Sequence, residues 1–366
     1  MTAAAYTMLL DGSPASEIFS AATVEVEENL DTPSAFQIRI GVGDDGKGDL
    51  SLVGERRVRP FSKVSIVVTP IGQRPHCIFD GVVLSQRLHL EQGGHSSHVE
   101  IWGEDGSWLM NLEEKIKEWS NVTDASVASS IFGDYNITPA PANMQDDSAA
   151  HIETRHTLMQ RASDIQFLRM LARRSGKLCW IACTDLPGRP TGYFMTPSVS
   201  GAPAATLSIA PSTGNVAALD FEWDVAHPSA VRAEQATLDG QSASVNATDS
   251  GLPTLADRDL STFAERSMTV VLTAAVDDSG ELDARAKALL RESGWFVRCR
   301  GEADLARLGT VLRAGSIVRV DAAGKLNSGK YFVWSVRHTI TLDAHRMAFQ
   351  LVRNSVGPAS TGGGFL

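Results

Sequence analysis

RVRPFSKVSIV (57–67) and VLRAGSIVRVD (311–321) follow one pattern, in which Arg59, Ser62, Val64 and Ile66 are matched by Arg313, Ser316, Val318 and Val320. About one hairpin later each is followed by a second strand, IFDGVVLSQRLHL (78–90) and YFVWSVRHTITL (331–342). There the echo continues if Phe79 is matched with Phe332 and Val83 with Val336. Each copy then returns along a further alternating strand, HVEIWGED (98–105) and MAFQLVRN (347–354). This is the trace expected of a duplicated β-unit, although alternating strands also resemble one another by chance and both readings stay open at this point. A chain with two similar β-units would present six of them around an axis as a trimer, which suits a mechanical ring better than a catalytic pocket.

Working outward, residues 1–112 read as strands. In AATVEVEENLDTPSAFQIRIGV (21–42), Val24, Val26, Phe36, Ile38 and Ile40 alternate with Glu25, Glu27, Gln37 and Arg39, so each strand has a dry face and a wet face. Turn residues cluster in GDDGKGD (43–49), TPIGQRPH (69–76) and EQGGHSS (91–97). SWLMNLEEKIKEW (107–119) fits a helix or a strand with charged edges. Thr123 and Asp124 open a short amphipathic helix through Val127 and Ile131, with Gly133 placed for a left-handed end. Ser163 and Gln166 form a capping-box pattern ahead of Ile165, Leu168 and Leu171, and Arg173 and Arg174 precede Gly176, which predicts a second helix. KLCWIACT (177–184) is apolar on both faces and reads as a strand buried between that helix and another layer. Residues 196–216 form a boundary loop with one weak strand. A helix is expected over 281–292, carrying Leu282, Ala286 and Leu289 and stopping at Gly294.

These readings divide the chain into a first tube-like β-barrel domain (1–112), an α+β middle domain (113–215), a second tube-like β-barrel domain with short helices (216–356) and a flexible tail (357–366). Length agrees, since 366 residues suggest two or three domains, each able to bury a core. A net charge of −10 without any Lys/Arg run argues against a specific nucleic-acid binder. No stretch approaches the ~20 apolar residues that span a bilayer, and MTAAAYTMLLDGSPAS (1–16) lacks the basic start of a signal peptide, so assembly in a cytoplasm is expected. Four cysteines, Cys77, Cys179, Cys183 and Cys299, are expected as reduced, mostly buried thiols rather than a disulfide framework.

The residues that carry chemistry elsewhere form no such constellation here. His89, His95 and His98 match no common zinc spacing, and Cys179 and Cys183 sit too far apart on a strand for joint ligation. Asp343 and His345 near Ser335 lack a nucleophile elbow. GDDGKGD lacks the downstream Glu of a calcium loop, and no phosphate-binding glycine pattern follows a strand. Arg169, Arg173 and Arg174 read as a solvated helix face. No catalytic residue, metal ligand or cofactor site is therefore expected.

Four segments together carry a family resemblance: HCIFDGVVLSQ (76–86), RASDIQFLRMLARRSGKLCWI (161–181), SGKYFVWSVRHTI (328–340) and AFQLVRNS (348–355). In this order and spacing the chain resembles the late-control-D family of baseplate hubs, which includes contractile phage tail hubs and the N-terminal hub part of type VI VgrG spike proteins. The resemblance implies a mainly β fold with an α+β insertion, two tube-like antiparallel barrels per chain and a pseudo-sixfold ring as a homotrimer. It implies a non-enzymatic adaptor between a sixfold inner tube and a threefold spike, lining the central channel of a phage tail or contractile injection particle. Its partners would be a separate spike protein, a tube or tube-initiator protein and baseplate wedge proteins. Glu25 and Glu27 would line an electronegative channel, and Phe365 and Leu366, at the end of the Gly-rich GPASTGGGFL (357–366), would anchor on the spike. A tail-associated cell-wall hydrolase or a carbohydrate-binding β-protein is the alternative.

Overall fold

The computed structural model describes residues 4–15, 22–43, 50, 58–92, 96–154, 157–183, 186–236, 242–274, 276 and 279–358. Among these, thirteen strands form one continuous sheet. In chain order they are β1 (Ala4–Leu10), β2 (Ser13–Pro14), β3 (Ala22–Asn29), β4 (Ala35–Gly41), β5 (Lys63–Pro70), β6 (His76–His89), β7 (His98–Asp105), β8 (Ala205–Ser208), β9 (Val216–Trp223), β10 (Val297–Asp304), β11 (Ile317–Asp321), β12 (Gly329–Ile340) and β13 (His345–Arg353). The spatial order is β9-β10-β13-β12-β3-β4-β7-β6-β5-β1-β2, with β11 beside β12 and β8 parallel to β11. The chain is thus mainly β, with the two β-modules fused where β12 pairs antiparallel with β3. Alternating strands put Val24, Val26, Phe36, Ile38, Val318, Val336, Phe349 and Leu351 into one core shared by both modules.

The duplication is visible in the hydrogen-bond register. In the first copy Lys63 faces Val82, Val64 faces Gly81 and Ile66 faces Phe79; in the second Ile317 faces Phe332, Val318 faces Tyr331 and Val320 faces Gly329. The turn before each first strand is also shared. The Ser62 N–H donates to Arg59 O (3.0 Å) and the Ser316 N–H to Arg313 O (3.4 Å), with a left-handed residue in between, Phe61 (φ 69°) or Gly315 (φ 81°). Val83 then exchanges backbone bonds with Phe61 and Ser62, as Val333 does with Gly315 and Ser316. A bulge follows at once in both copies, between Val83 and Ser85 and between Val333 and Ser335.

These bonds correct the alignment read from the sequence, because the counterpart of Val83 is Val333, not Val336, and that of Phe79 is Gly329, not Phe332. The better match, VLSQR (83–87) with VWSVR (333–337), was present in the sequence. The connection between the two hairpin strands, from Ile66 to Phe79 in the first copy and from Val320 to Gly329 in the second, is four residues longer in the first, so matching of hydrophobic residues without a gap settled three residues away. Beyond the shared hairpin the same neighbours follow: β7 pairs with β4 and β4 with β3, while β13 pairs with β10 and β10 with β9. Through these ladders VEVEEN (24–29) becomes the counterpart of LDFEWD (219–224). The cores are exchanged in volume at one such place. Phe36 faces Gly103 in the first copy, and the equivalent pair in the second is the small Cys299 facing the large Leu351.

The middle module has its own core around Ile131, Phe132, Phe167, Leu168, Leu171 and Phe194. The undecided segment 107–119 is a 3-10 turn, Gly106–Asn111, followed by the strand Glu114–Trp119. The helix Asp124–Asp134 is capped by Thr123 in a box with Ser126, and Gly133 lies inside it; the left-handed residue beyond its end is Asn136. The helix Asp164–Arg174 forms where its pattern placed it, but Ser163 makes no cap bond and its hydroxyl donates to Asn111 instead (2.6 Å). The strand Leu178–Cys183 is buried on both faces, against the middle core through Cys179 and Ile181 and against the second module through Trp180. A further small sheet, Ala230–Ala236 with Ser242–Ala247 and Thr269–Leu272, is covered by the helix Ser279–Ser293.

The expectation of reduced cysteines is overturned at two of the four. Cys77 of β6 and Cys183 of the middle module are disulfide-bonded, whereas Cys179 and Cys299 are free and buried. The two half-cystines lie 106 residues apart, and only packing of the middle module onto β6 brings their Cα atoms to 5.6 Å.

Candidate functional site: the polar face of the continuous sheet

Period-2 alternation gives the sheet a second face opposite the shared core. The register sets its side chains in rows. Glu27 lies between Arg337 and Ala35, and Glu25 between Thr339 and Gln37. Arg39 lies between Thr23 and Glu100, and Glu100 faces Arg87. In the second module Glu302 and Ala348 continue the row of Arg337, and Arg346 faces both Asp304 and Thr339.

Basic as well as acidic side chains stand on this face beside Glu25 and Glu27. Both glutamates sit on it, half-buried, but the Arg337 Nη2 donates to Glu27 Oε2 at 2.8 Å, and that bond raises the Arg337 pKa above its ordinary value. Arg39 reaches His98 Nδ1 at 3.3 Å, and Arg87 and Glu100 approach to 3.9 Å. Glu25, Glu27, Glu100, Glu302 and Asp304 are interleaved with Arg39, Arg87, Arg298, Arg300, Arg337 and Arg346. Acid and base therefore alternate, and the face attracts neither sign strongly.

The remaining titratable clusters close on themselves. The Arg174 guanidinium donates to Asp124, and His151 Nε2 lies 2.9 Å from the same carboxylate. Against the upward push of burial, His151 and Arg174 hold the Asp124 carboxyl below its ordinary range. Asp164 accepts from Lys115 Nζ (2.5 Å), Tyr135 Oη (2.7 Å) and Gln160 Nε2 (2.7 Å), which likewise hold its carboxyl down despite burial. These aspartates each open a helix and lock it to its neighbours. The arginine cluster read as solvated is divided: Arg173 is exposed and 3.1 Å from Asp31, Arg174 is in the Asp124 network, and Arg169 has a buried Nε. Glu28 and Arg313 form the joint between modules, with Arg313 Nε donating to Glu28 Oε1 (2.5 Å) and Arg313 Nη2 to Cys183 O (2.8 Å).

His89 and His98 face each other across the β6–β7 hairpin with ring centroids 5.0 Å apart, while His95 lies outside the described residues. So do residues 44–49 of GDDGKGD and the expected anchors Phe365 and Leu366. His345 is bonded to His338, Nε2 to Nδ1 at 3.0 Å, inside the second module. Among the described residues, no group of three or more His, Cys, Asp or Glu side chains is arranged to hold a metal ion.

This fold, a continuous and largely antiparallel sheet with a duplicated unit, is shared with solved tail proteins. The structure is similar to a tail protein from Neisseria meningitidis MC58, with TM-score 0.68, 16% identity and 96% of this chain and 97% of that chain covered. It is similar to the 43 kDa tail protein of prophage MuSo2 from Shewanella oneidensis, with TM-score 0.67, 12% identity and coverage of 96% and 98%. The Escherichia coli c3393 protein, a type VI secretion component with structural similarity to the T4 tail proteins gp27 and gp5, has TM-score 0.54, 12% identity and coverage of 98% and 78%. No curated protein is detectably similar in sequence. In sequence, residues 1–342 match the family described as the Alg8 N-terminal domain, and the chain belongs to that family. That description differs from the late-control-D hubs of the resemblance, whereas the fold agrees with it.

Proposed function

We propose that this chain is a structural baseplate hub of the late-control-D kind, a component of a phage tail or contractile injection particle. The observation that carries the reading is the duplicated β-unit with one shared register, fused into a single sheet whose polar face is continuous from β9 to β6. Three copies would present six equivalent units, matching a sixfold tube on one side and a threefold spike on the other. The polar face, with Glu25 and Glu27, would line the channel, and its alternating charges would let cargo of either sign pass without sticking. The reading is of a structural part and not an enzyme. The buried Asp124 and Asp164 are consumed by structural bonds, which leaves them no role toward a substrate.

Its partners would be a spike, a tube or tube-initiator protein and baseplate wedge proteins, with residues 357–366 supplying Phe365 and Leu366 as apolar anchors toward the spike. Cryo-microscopy of the purified full chain, alone and co-expressed with its spike and tube proteins, tests the assembly. A ring of three chains with six similar lobes is expected. A chain that stays monomeric in every mixture overturns the reading.

A further inference from the structure

The ladders β5-β6-β7-β4-β3 and β11-β12-β13-β10-β9 correspond strand for strand, but the copies differ at the outer side of the long hairpin strand. In the second copy, the strand half after the bulge, Ser335–Ile340, is covered by β3, with Ser335 facing Asn29, Arg337 facing Glu27, His338 facing Val26 and Ile340 facing Val24. In the first copy the equivalent half, Ser85–Leu90, pairs with β7 on one side, and among the described residues no strand pairs with its other side. The counterpart of β3 is β9, which among the described residues ends the sheet and pairs with β10 alone. One joint is therefore made inside the chain, and among the described residues both halves of a second, equivalent joint lack a partner strand, one at β6 and one at the β9 end of the sheet.

We propose that these two open edges pair between copies of this chain, β6 of one with β9 of the next, in the register that β12 and β3 use internally. Transferring that register places Ser85 opposite Asp224, Arg87 opposite Glu222, Leu88 opposite Phe221, His89 opposite Asp220 and Leu90 opposite Leu219. The Arg87–Glu222 pair then repeats the Arg337–Glu27 bond, and both residues lie on the polar face. Exposure fits the same partner: Leu90 is 57% exposed and Trp223 58%, whereas their equivalents at the internal joint, Ile340 and Glu28, are buried. An open edge with apolar side chains is a template for another strand. Because the contact is head-to-tail, it closes when the rotation per copy divides the circle. The inference deepens the hub reading and rests on it for the number of copies.

Cysteines placed at both faces of the joint test it. The full-length Arg87→Cys/Glu222→Cys variant, oxidised under non-reducing conditions, should give cross-linked dimers and trimers but no higher species. Each single variant alone should not, whereas the two mixed should give dimers. The free native thiols, Cys179 and Cys299, are buried and should not contribute. As a second measurement, Arg87→Glu sets two acids opposite each other and should weaken self-association by roughly tenfold in light scattering, with Glu222→Arg in the same chain restoring it. If the chain forms trimers but the cysteines do not cross-link and the charge reversals change nothing, the joint is wrong and the hub reading survives. A chain that neither self-associates nor cross-links, alone or with its spike and tube proteins, sinks both.

Discussion

At the scale of single residues, the second module buries a titratable pair. His338 and His345 are bonded to each other at 3.0 Å, and the outer nitrogens, His338 Nε2 and His345 Nδ1, are buried without a partner. Burial pushes His345 down to about 4, and burial together with His345 pushes His338 well below its ordinary value. Both imidazoles are neutral when folded, whereas the unfolded chain binds protons from about pH 6.5 downward. Their contribution to stability is therefore complete above pH 6.5 and is lost as pH falls toward 4, a loss of about 3 kcal/mol for His345 alone. Urea midpoints at pH 7 and pH 4.5 should show the drop, and His338→Gln/His345→Gln should flatten it. Asp124 and Asp164, held below the ordinary carboxylate range, stay ionised through this window and lose their contribution only at lower pH. Gly103 shows the other residue-scale constraint. A Cβ there would collide with the Val82 carbonyl and the Phe36 ring, so the first copy keeps a glycine where the second keeps Leu351.

At the scale of elements, the decisive contact is between β6 and the strand Leu178–Cys183. The Cys77–Cys183 bond ties the first module to the middle one, helped by the Gly188 N–H donating to Asp80 Oδ2 (3.0 Å) and by Arg313 donating to Cys183 O. A cross-link enclosing on the order of 100 residues restricts the unfolded chain strongly, and such bonds contribute about 2–4 kcal/mol. Adding a reductant should lower the urea midpoint of the native chain, and the Cys77→Ser/Cys183→Ser variant should show the lower midpoint with or without reductant. An unchanged midpoint would mean that packing alone holds the modules. Helices were legible where apolar residues recur at helical spacing, as in 164–174 and 279–293. Their ends were less so, because Ser163 found a closer acceptor in Asn111 and the first helix ran on through Gly133 to Asp134. Caps are decided by which neighbour is near, and that is a tertiary fact.

At the scale of the molecule, fused modules make the assembly predictions separable. Removing residues 358–366 should leave the chain folded, while co-purification of the spike should fall. Equal spike recovery would show that the β-modules alone seat it. By itself the sequence determined that the chain is mainly β, with a helix–strand pair in its middle, and it left a doubled β-unit as one of two open readings, because period-2 alternation and helical spacing are local properties of side chains that chance also produces. The tertiary structure alone decided the rest. It set the true register of the repeat, since the connection from Ile66 to Phe79 is four residues longer than that from Val320 to Gly329 and only the strand pairing shows where the gap falls. It joined Cys77 to Cys183, because pairing depends on distance across modules and not on spacing along the chain. It also brought Glu27 to Arg337, which meet only once β3 and β12, more than 300 residues apart in the chain, lie side by side.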